Sequence, residues 1–175
     1  MNKKAIIPIV VLVFIGSFSL HAQTIIQMGF IVKKALPNIE NIAVIGLKKD
    51  RRSLGAEASK AKIITRVDYQ VYTPVTKSDI LSELNKIYRY DNVAIIVMTN
   101  DNIFDKNSIK YIALKLYKKK IPLVTDRITD TLQGAMITVE DMGGKIEVHI
   151  SKLVSNAYGI TFPEEFLQDA IVDVE

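Results

Sequence analysis

The longest uncharged apolar run stands at the start of the chain. After Met1-Asn2-Lys3-Lys4, residues Ala5 to Phe18 (AIIPIVVLVFIGSF) are almost wholly apolar, and Ser19-Leu20-His21-Ala22-Gln23 follows. A short cationic start, an apolar stretch and a small residue make the pattern of a secretory signal peptide. The run is shorter than the ~20 residues a spanning helix needs, and Pro8 and Gly16 sit inside it. The expectation is cleavage after Ala22, leaving Gln23 as the first residue of a protein exported to the periplasm or beyond. The alternative is an uncleaved anchor, because Leu20 is large for its place in a cleavage site. Residues 23–175 then form one domain.

Downstream the pattern alternates between two periods. Thr24 to Leu36 reads as an amphipathic helix stopped by Pro37. Ile42 to Gly46 is a short apolar run suited to a buried strand. A charged loop, Leu47 to Arg52, and a helix from Ser53 to Lys62 are expected next. Val67 to Thr73 alternates apolar and polar, as a half-exposed strand near a sheet edge does. Thr76 is an expected N-cap, with Asp79 three residues on. Ile80, Leu84 and Ile87 follow at helical spacing. Val93 to Met98 is apolar throughout, which a central parallel strand buried on both faces requires. Ile109, Ile112, Ala113 and Leu116 mark another helix, ended by Lys118-Lys119-Lys120 at the negative pole of its dipole.

Ile121 to Thr125 is the next strand. Ala135–Val139 and Lys145–Ile150 flank Glu140-Asp141-Met142-Gly143-Gly144, a hairpin signal. Ser151 to Tyr158 reads as a helix ended by Gly159, and Pro163 opens a last helical turn. Strands alternating with helices imply parallel pairing. The expected fold is therefore α/β: a three-layer, doubly wound, flavodoxin- or Rossmann-like sheet, mostly parallel, with a C-terminal β-hairpin.

Composition narrows the chemistry. The formal charge of the 175 residues is +4, and Lys3 and Lys4 leave with the signal. A weakly positive remainder without a basic face is no nucleic-acid binder. The absence of Cys excludes disulfides and a lipid anchor through Cys. There is no glycine-rich dinucleotide fingerprint, P-loop, HExxH or G-x-S-x-G. Beyond the signal the one His is His149, on the polar face of its strand. No cofactor, metal site or catalytic constellation is expected, and a non-enzymatic role follows.

What remains is topological. In open α/β sheets, ligands bind at the carboxyl ends of the strands. The loops expected there are Leu47–Ser53, Thr73–Thr76, Thr99–Asn102 and Asp126–Asp130. The candidate binding residues are Arg51, Arg52, Ser53, Thr99, Asp101, Asn102 and Asp126. Carboxylates could take an ammonium, and Arg51 or Arg52 a carboxylate, of an amino-acid-like ligand.

Three blocks carry a family likeness. The first is Ile31 to Ile45 (IVKKALPNIENIAVI). The second is Asp91 to Val97 with Thr99-Asn100-Asp101-Asn102, Lys120-Ile121-Pro122-Leu123, Asp126 and Gly134-Ala135. The third is Ile146 to Ile150 with Ala157 to Pro163 and Phe166-Leu167. In this order they resemble the type 1 periplasmic solute-binding proteins of ABC transporters, the tryptophan/tyrosine-type group. That family has two lobes and binds its ligand between them, whereas this chain is long enough for one. The resemblance thus implies a single-lobe substrate-binding relative for a small polar or aromatic amino-acid-like ligand. A membrane transporter or sensor would be its partner, and a homodimer could complete the cleft. The strand from Ala135 running straight into the hairpin is similar instead to the YfiR-type periplasmic regulators. Their resemblance implies an alternative role, protein–protein contact with a membrane signalling protein.

Intact-mass analysis of protein taken from the native envelope tests the export reading. A chain beginning at Gln23 is expected; retention of residues 1–22 would establish an anchor.

Overall fold

The computed structural model of the chain describes residues 24–99 and 103–173. Residues 1–22, expected above to be a signal, and Asp101 and Asn102 among the candidate residues, lie outside the described residues. Seven strands form one sheet: β1 (Asn41–Ile45), β2 (Asp68–Tyr72), β3 (Val93–Val97), β4 (Leu123–Thr125), β5 (Ile137–Asp141), β6 (Ile146–Ser151) and β7 (Ile171–Asp173). Their order is β2-β1-β3-β4-β5-β6-β7. The first five run parallel, β6 runs antiparallel to β5, and β7 runs parallel to β6. The expected three-layer, mostly parallel sheet with its late hairpin is therefore present.

Helices cover both faces. They are α1 (Ile25–Ala35), α2 (Arg51–Thr65), α3 (Asp79–Ile87), α4 (Lys106–Tyr117), α5 (Lys152–Tyr158) and α6 (Glu164–Leu167). On one face Ile42, Val44, Ala94, Ile96 and Val124 pack with Met28 and Val32 of α1, Leu54 and Ala61 of α2, and Phe162 and Phe166 near the C-terminus. On the other face Ala43, Ile45, Val93, Ile95 and Val97 pack with Ile80, Leu84 and Ile87 of α3 and Ile109, Ile112 and Leu116 of α4. Strand β3 lies at the middle of these two cores, and all five of its residues are buried. None of the helices of the described residues is long and apolar enough to cross a membrane.

Local chemistry sets the ends of these elements. Thr24 and Gln27 form a reciprocal capping box, with the Gln27 N–H donating to Thr24 Oγ1 at 3.2 Å and the Thr24 N–H to Gln27 Oε1 at 3.1 Å. Glu57 Oε2 of α2 accepts from the Ile25 N–H at 3.0 Å and ties the two helices together. Gly159 ends α5 at φ 71°, a conformation that an L side chain resists.

Four details differ from the sequence reading. Leu47 to Arg52 is not a loop: a 3-10 turn, Lys48–Asp50, leads directly into α2, so Arg51 and Arg52 stand on its first turn and the helix runs on to Thr65. Thr76 does not cap by its side-chain oxygen. Asp79 Oδ2 accepts instead, from the Thr76 N–H at 2.8 Å and Oγ1–H at 2.9 Å, and the helix starts at Asp79. The hairpin strands extend to Asp141, which moves the turn to Met142–Lys145. Strand β7 was not anticipated, because three residues are too few to show a period.

Ile95 and Ile96 point to opposite faces, and both are wholly buried. Ile96→Asp would leave an unpaired carboxylate in the first core, at a cost of roughly 5 kcal/mol or more. Loss of the cooperative thermal transition is expected; a soluble variant that still melts cooperatively would refute the placement of β3.

Candidate functional site

From β1 the chain passes outward to β2 and then returns to β3 on the other side of β1. The helices that follow β1 and β3 lie on opposite faces, α2 on one and α4 on the other. The loops therefore part above the carboxyl ends of β1 and β3, the place where such sheets hold ligands. The loops after β1, β2, β3 and β4 all leave this edge, since the four strands are parallel. Gly46 continues the β1 ladder, its N–H donating to Tyr72 O at 3.0 Å. A Cβ there would stand 2.5 Å from Leu54 Cδ1, so a larger residue would oblige the Leu54 side chain to shift.

Two of the candidate residues are brought into direct contact. Asp126 Oδ1 accepts the Thr99 N–H at 2.8 Å and also the Thr99 hydroxyl, which joins the ends of β4 and β3. Burial raises the Asp126 carboxyl above the usual aspartate range, the two Thr99 hydrogen bonds oppose this, and the nearby Asp130 charge adds to it. Arg51, Arg52 and Ser53 occupy the first turn of α2 at the same edge. Both arginines are exposed, and no carboxylate among the described residues pairs with either. Ser53 Oγ is turned back to Asp50 O at 2.8 Å and serves the helix start.

The next residues were missed by the sequence reading. Arg127 donates through Nε at 3.0 Å and Nη2 at 2.9 Å to Asp130 Oδ1, and Nη2 also lies 3.5 Å from Phe104 O. Asp130 is almost completely buried in a 3-10 segment, Ile128–Gln133, that takes the place of a helix between β4 and β5. Burial raises the Asp130 carboxyl, and Arg127 pulls it back down. Glu140 of β5 accepts the Ile128 N–H at 3.1 Å. The sequence signal was present in Asp126-Arg127-Ile128-Thr129-Asp130, but nothing in it distinguishes an internal Arg–Asp pair from two solvated charges.

Concavities lie at both ends of the sheet. One of about 530 Å³ opens at the opposite end of the sheet and is lined by Tyr88, Tyr90, Lys119 and Lys120. Another, about 430 Å³, separates the starts of α3 and α4 around Lys77 and Tyr111. A third, about 750 Å³, lies between the 3-10 segment and β6, with Leu132, His149 and Leu153 in its wall. Among the described residues no group of three His, Cys, Asp or Glu side chains could hold a metal ion.

The fold is shared with several solved structures. A conserved domain protein from Vibrio cholerae matches with a TM-score of 0.71 at 18% identity, over 85% of this chain and 60% of its own. The ABC domain in complex with L-Trp from Streptococcus pneumoniae matches with 0.69 at 14% identity, over 86% and 62%. The ligand-free, open structure of a substrate-binding protein with adhesive properties from Clostridium difficile matches with 0.69 at 9% identity, over 86% and 60%. The chain thus spans about three-fifths of the length of each. No known family's sequence profile matches it, and no curated protein does.

Asp126→Asn isolates the buried carboxyl, because the amide oxygen can still accept both Thr99 hydrogen bonds. A carboxyl raised in the folded state favours folding while it is protonated, and that advantage is lost as the pH climbs from the unfolded value of 3.8 through the higher folded value. Urea unfolding at pH 3.5 and pH 7 should therefore show the variant gaining on the wild type at the higher pH. A difference that does not change with pH would contradict the burial of this group.

Proposed function

We propose that the chain is an exported, non-enzymatic binding protein, one lobe in the manner of an ABC-transporter substrate-binding protein, for a small amino-acid-like ligand. The observation that carries the reading is Asp126: a carboxylate kept at the switch-point edge although its burial disfavours the charged form. Groups that cost stability and sit where a fold holds ligands are candidates for binding. The fold shared with a domain solved in complex with L-Trp supports the ligand class. On this reading the ligand is held at the carboxyl edge by the ends of β3 and β4, and Thr99 orients Asp126. A transporter or sensor in the membrane receives the loaded form, and a second copy can close the open edge.

One observation favours regulation by protein contact as a second reading. Leu132, Leu153 and Val172 are 71%, 66% and 38% exposed around the 750 Å³ concavity. Contiguous apolar surface of this kind marks interaction sites.

Thermal melting of residues 23–175 against the twenty amino acids separates the two. A ligand at a hundred times its dissociation constant adds about 2.7 kcal/mol, and an upward shift with L-tryptophan or another aromatic amino acid is expected. No shift with any amino acid would reject the solute-binding reading.

A further inference from the structure

Between β4 and β5 the chain builds a 3-10 segment, Ile128–Gln133, in the place of a helix. Gly134 closes the segment at φ 96°, and a Cβ there would stand 2.9 Å from Ala113 Cβ. The segment thus sits hard against α4, which leaves a gap toward β6. Across the gap, the start of α5 is fixed by its own cap, with Ser151 Oγ accepting the Val154 N–H at 3.3 Å. These two anchored walls enclose the concavity of about 750 Å³, larger than the other two described above. A space of this volume takes a small molecule whole.

Its walls are apolar and uncharged. Leu132 of the 3-10 segment and Leu153 of α5 stand beside it 71% and 66% exposed, with Val154 and Val172 next to them. Among the described residues no Lys, Arg, Asp or Glu lines it, whereas Lys119 and Lys120 line the 530 Å³ concavity and Lys77 the 430 Å³ one. A charged group entering here would lose water without gaining an opposite charge. His149, which lines the floor, does not alter this. Glu147 Oε2 lies 3.8 Å from its Nε2, and Lys145 Nζ already holds Glu147 Oε1 at 3.1 Å. An anion approaching His149 meets the Glu147 carboxylate, and a cation finds that carboxylate already paired. A neutral hydroxyl or carbonyl meets neither obstacle, and the Ser151 hydroxyl keeps a proton to donate to it.

We propose that this concavity is a second binding site, for an uncharged apolar molecule carrying a hydroxyl or carbonyl group. It goes beyond the solute-binding reading and does not rest on it. The carboxyl edge offers charges to its ligand, and this concavity offers none. Leu132 and Leu153 grip the apolar body from opposite walls, and the floor of His149 and Ser151 receives the polar group.

The probes are 1-hexanol, 1-octanol, octanoate and octylammonium, titrated into residues 23–175, which hold the whole sheet and both cores. Amide chemical shifts report both the place and the affinity. 1-Octanol should saturate shifts at residues 128–134 and 149–154. It should bind about tenfold tighter than 1-hexanol, since each buried methylene strengthens binding several-fold. It should also bind about tenfold or more tighter than octanoate or octylammonium. Leu132→Ser combined with Leu153→Ser alters two exposed side chains, so the variant should melt cooperatively while losing about tenfold or more in 1-octanol affinity. Ile63→Ser, at an 80% exposed position on α2, should bind as the wild type does. The proposal is overturned if 1-octanol gives no saturable shifts, if either charged probe binds as tightly, or if the double variant keeps the wild-type affinity. A wild type that sediments as a dimer, with a double variant that sediments as a monomer, would assign the concavity to a second copy instead. Amino-acid titration reads the carboxyl edge separately, so the solute-binding reading stands or falls on its own test.

Discussion

Burial of β3 on both faces is the constraint from which the rest of the architecture follows. A strand with no polar position among Val93 to Val97 cannot face water on either side. It needs a helical layer above and below, and parallel neighbours to satisfy its backbone. α3 and α4 supply one layer, and α1, α2, α5 and α6 the other. Serving both faces in turn obliges the chain to cross from β2 to β3 over β1. That crossing produces the parting of loops at the carboxyl edge. The edge on which the proposed function rests is thus a by-product of how the core is covered.

The two faces are not equally well covered. On the face of α3 and α4 the register row Val97–Thr125–Thr138–His149 turns from apolar to polar as it moves toward β6. The change coincides with the link between β4 and β5, where the chain makes a 3-10 segment of six residues in place of a helix. Such a segment offers no apolar stripe wide enough to dry the sheet beneath it. Polar groups fill the space instead, and Arg127 with Asp130 is their organising pair. Asp130 Oδ2 and Thr138 Oγ1 are buried without a hydrogen-bond partner among the described residues. A packed core avoids such groups, so this half of the edge has retained chemistry at a cost in stability.

The sequence was informative where one physical effect dominates. The apolar run of β3 and Gly159 each announce themselves, because burial on both faces and a left-handed residue admit few alternatives. It was less informative where effects compete. The run Lys48 to Arg52 is as polar as a loop, yet the helix starts at Arg51, with Leu54 close above Gly46. Thr76 and Asp79 can cap each other in either direction, and the carboxylate, the stronger acceptor, took the Thr76 donors. Within the site, Thr99 and Asp126 were found because topology places both at strand ends. Arg127 and Asp130 were passed over because internal pairing is a property of the fold and leaves no mark on a five-residue stretch.

That omission bears on the proposed solute-binding reading, in which one lobe would hold the ligand at an open edge. In a closed cleft, water is excluded by the second lobe, and even loosely held side chains become effective. On a single open sheet edge the solvent remains, so exposed charges such as Arg51 and Arg52 are screened and gain little from a ligand. Only groups already desolvated and fixed keep their strength under those conditions. Asp126, held by Thr99, and Arg127, held by Asp130, are half-buried and fixed in this way. An open lobe of this build would therefore depend on preorganisation where a two-lobed protein depends on closure.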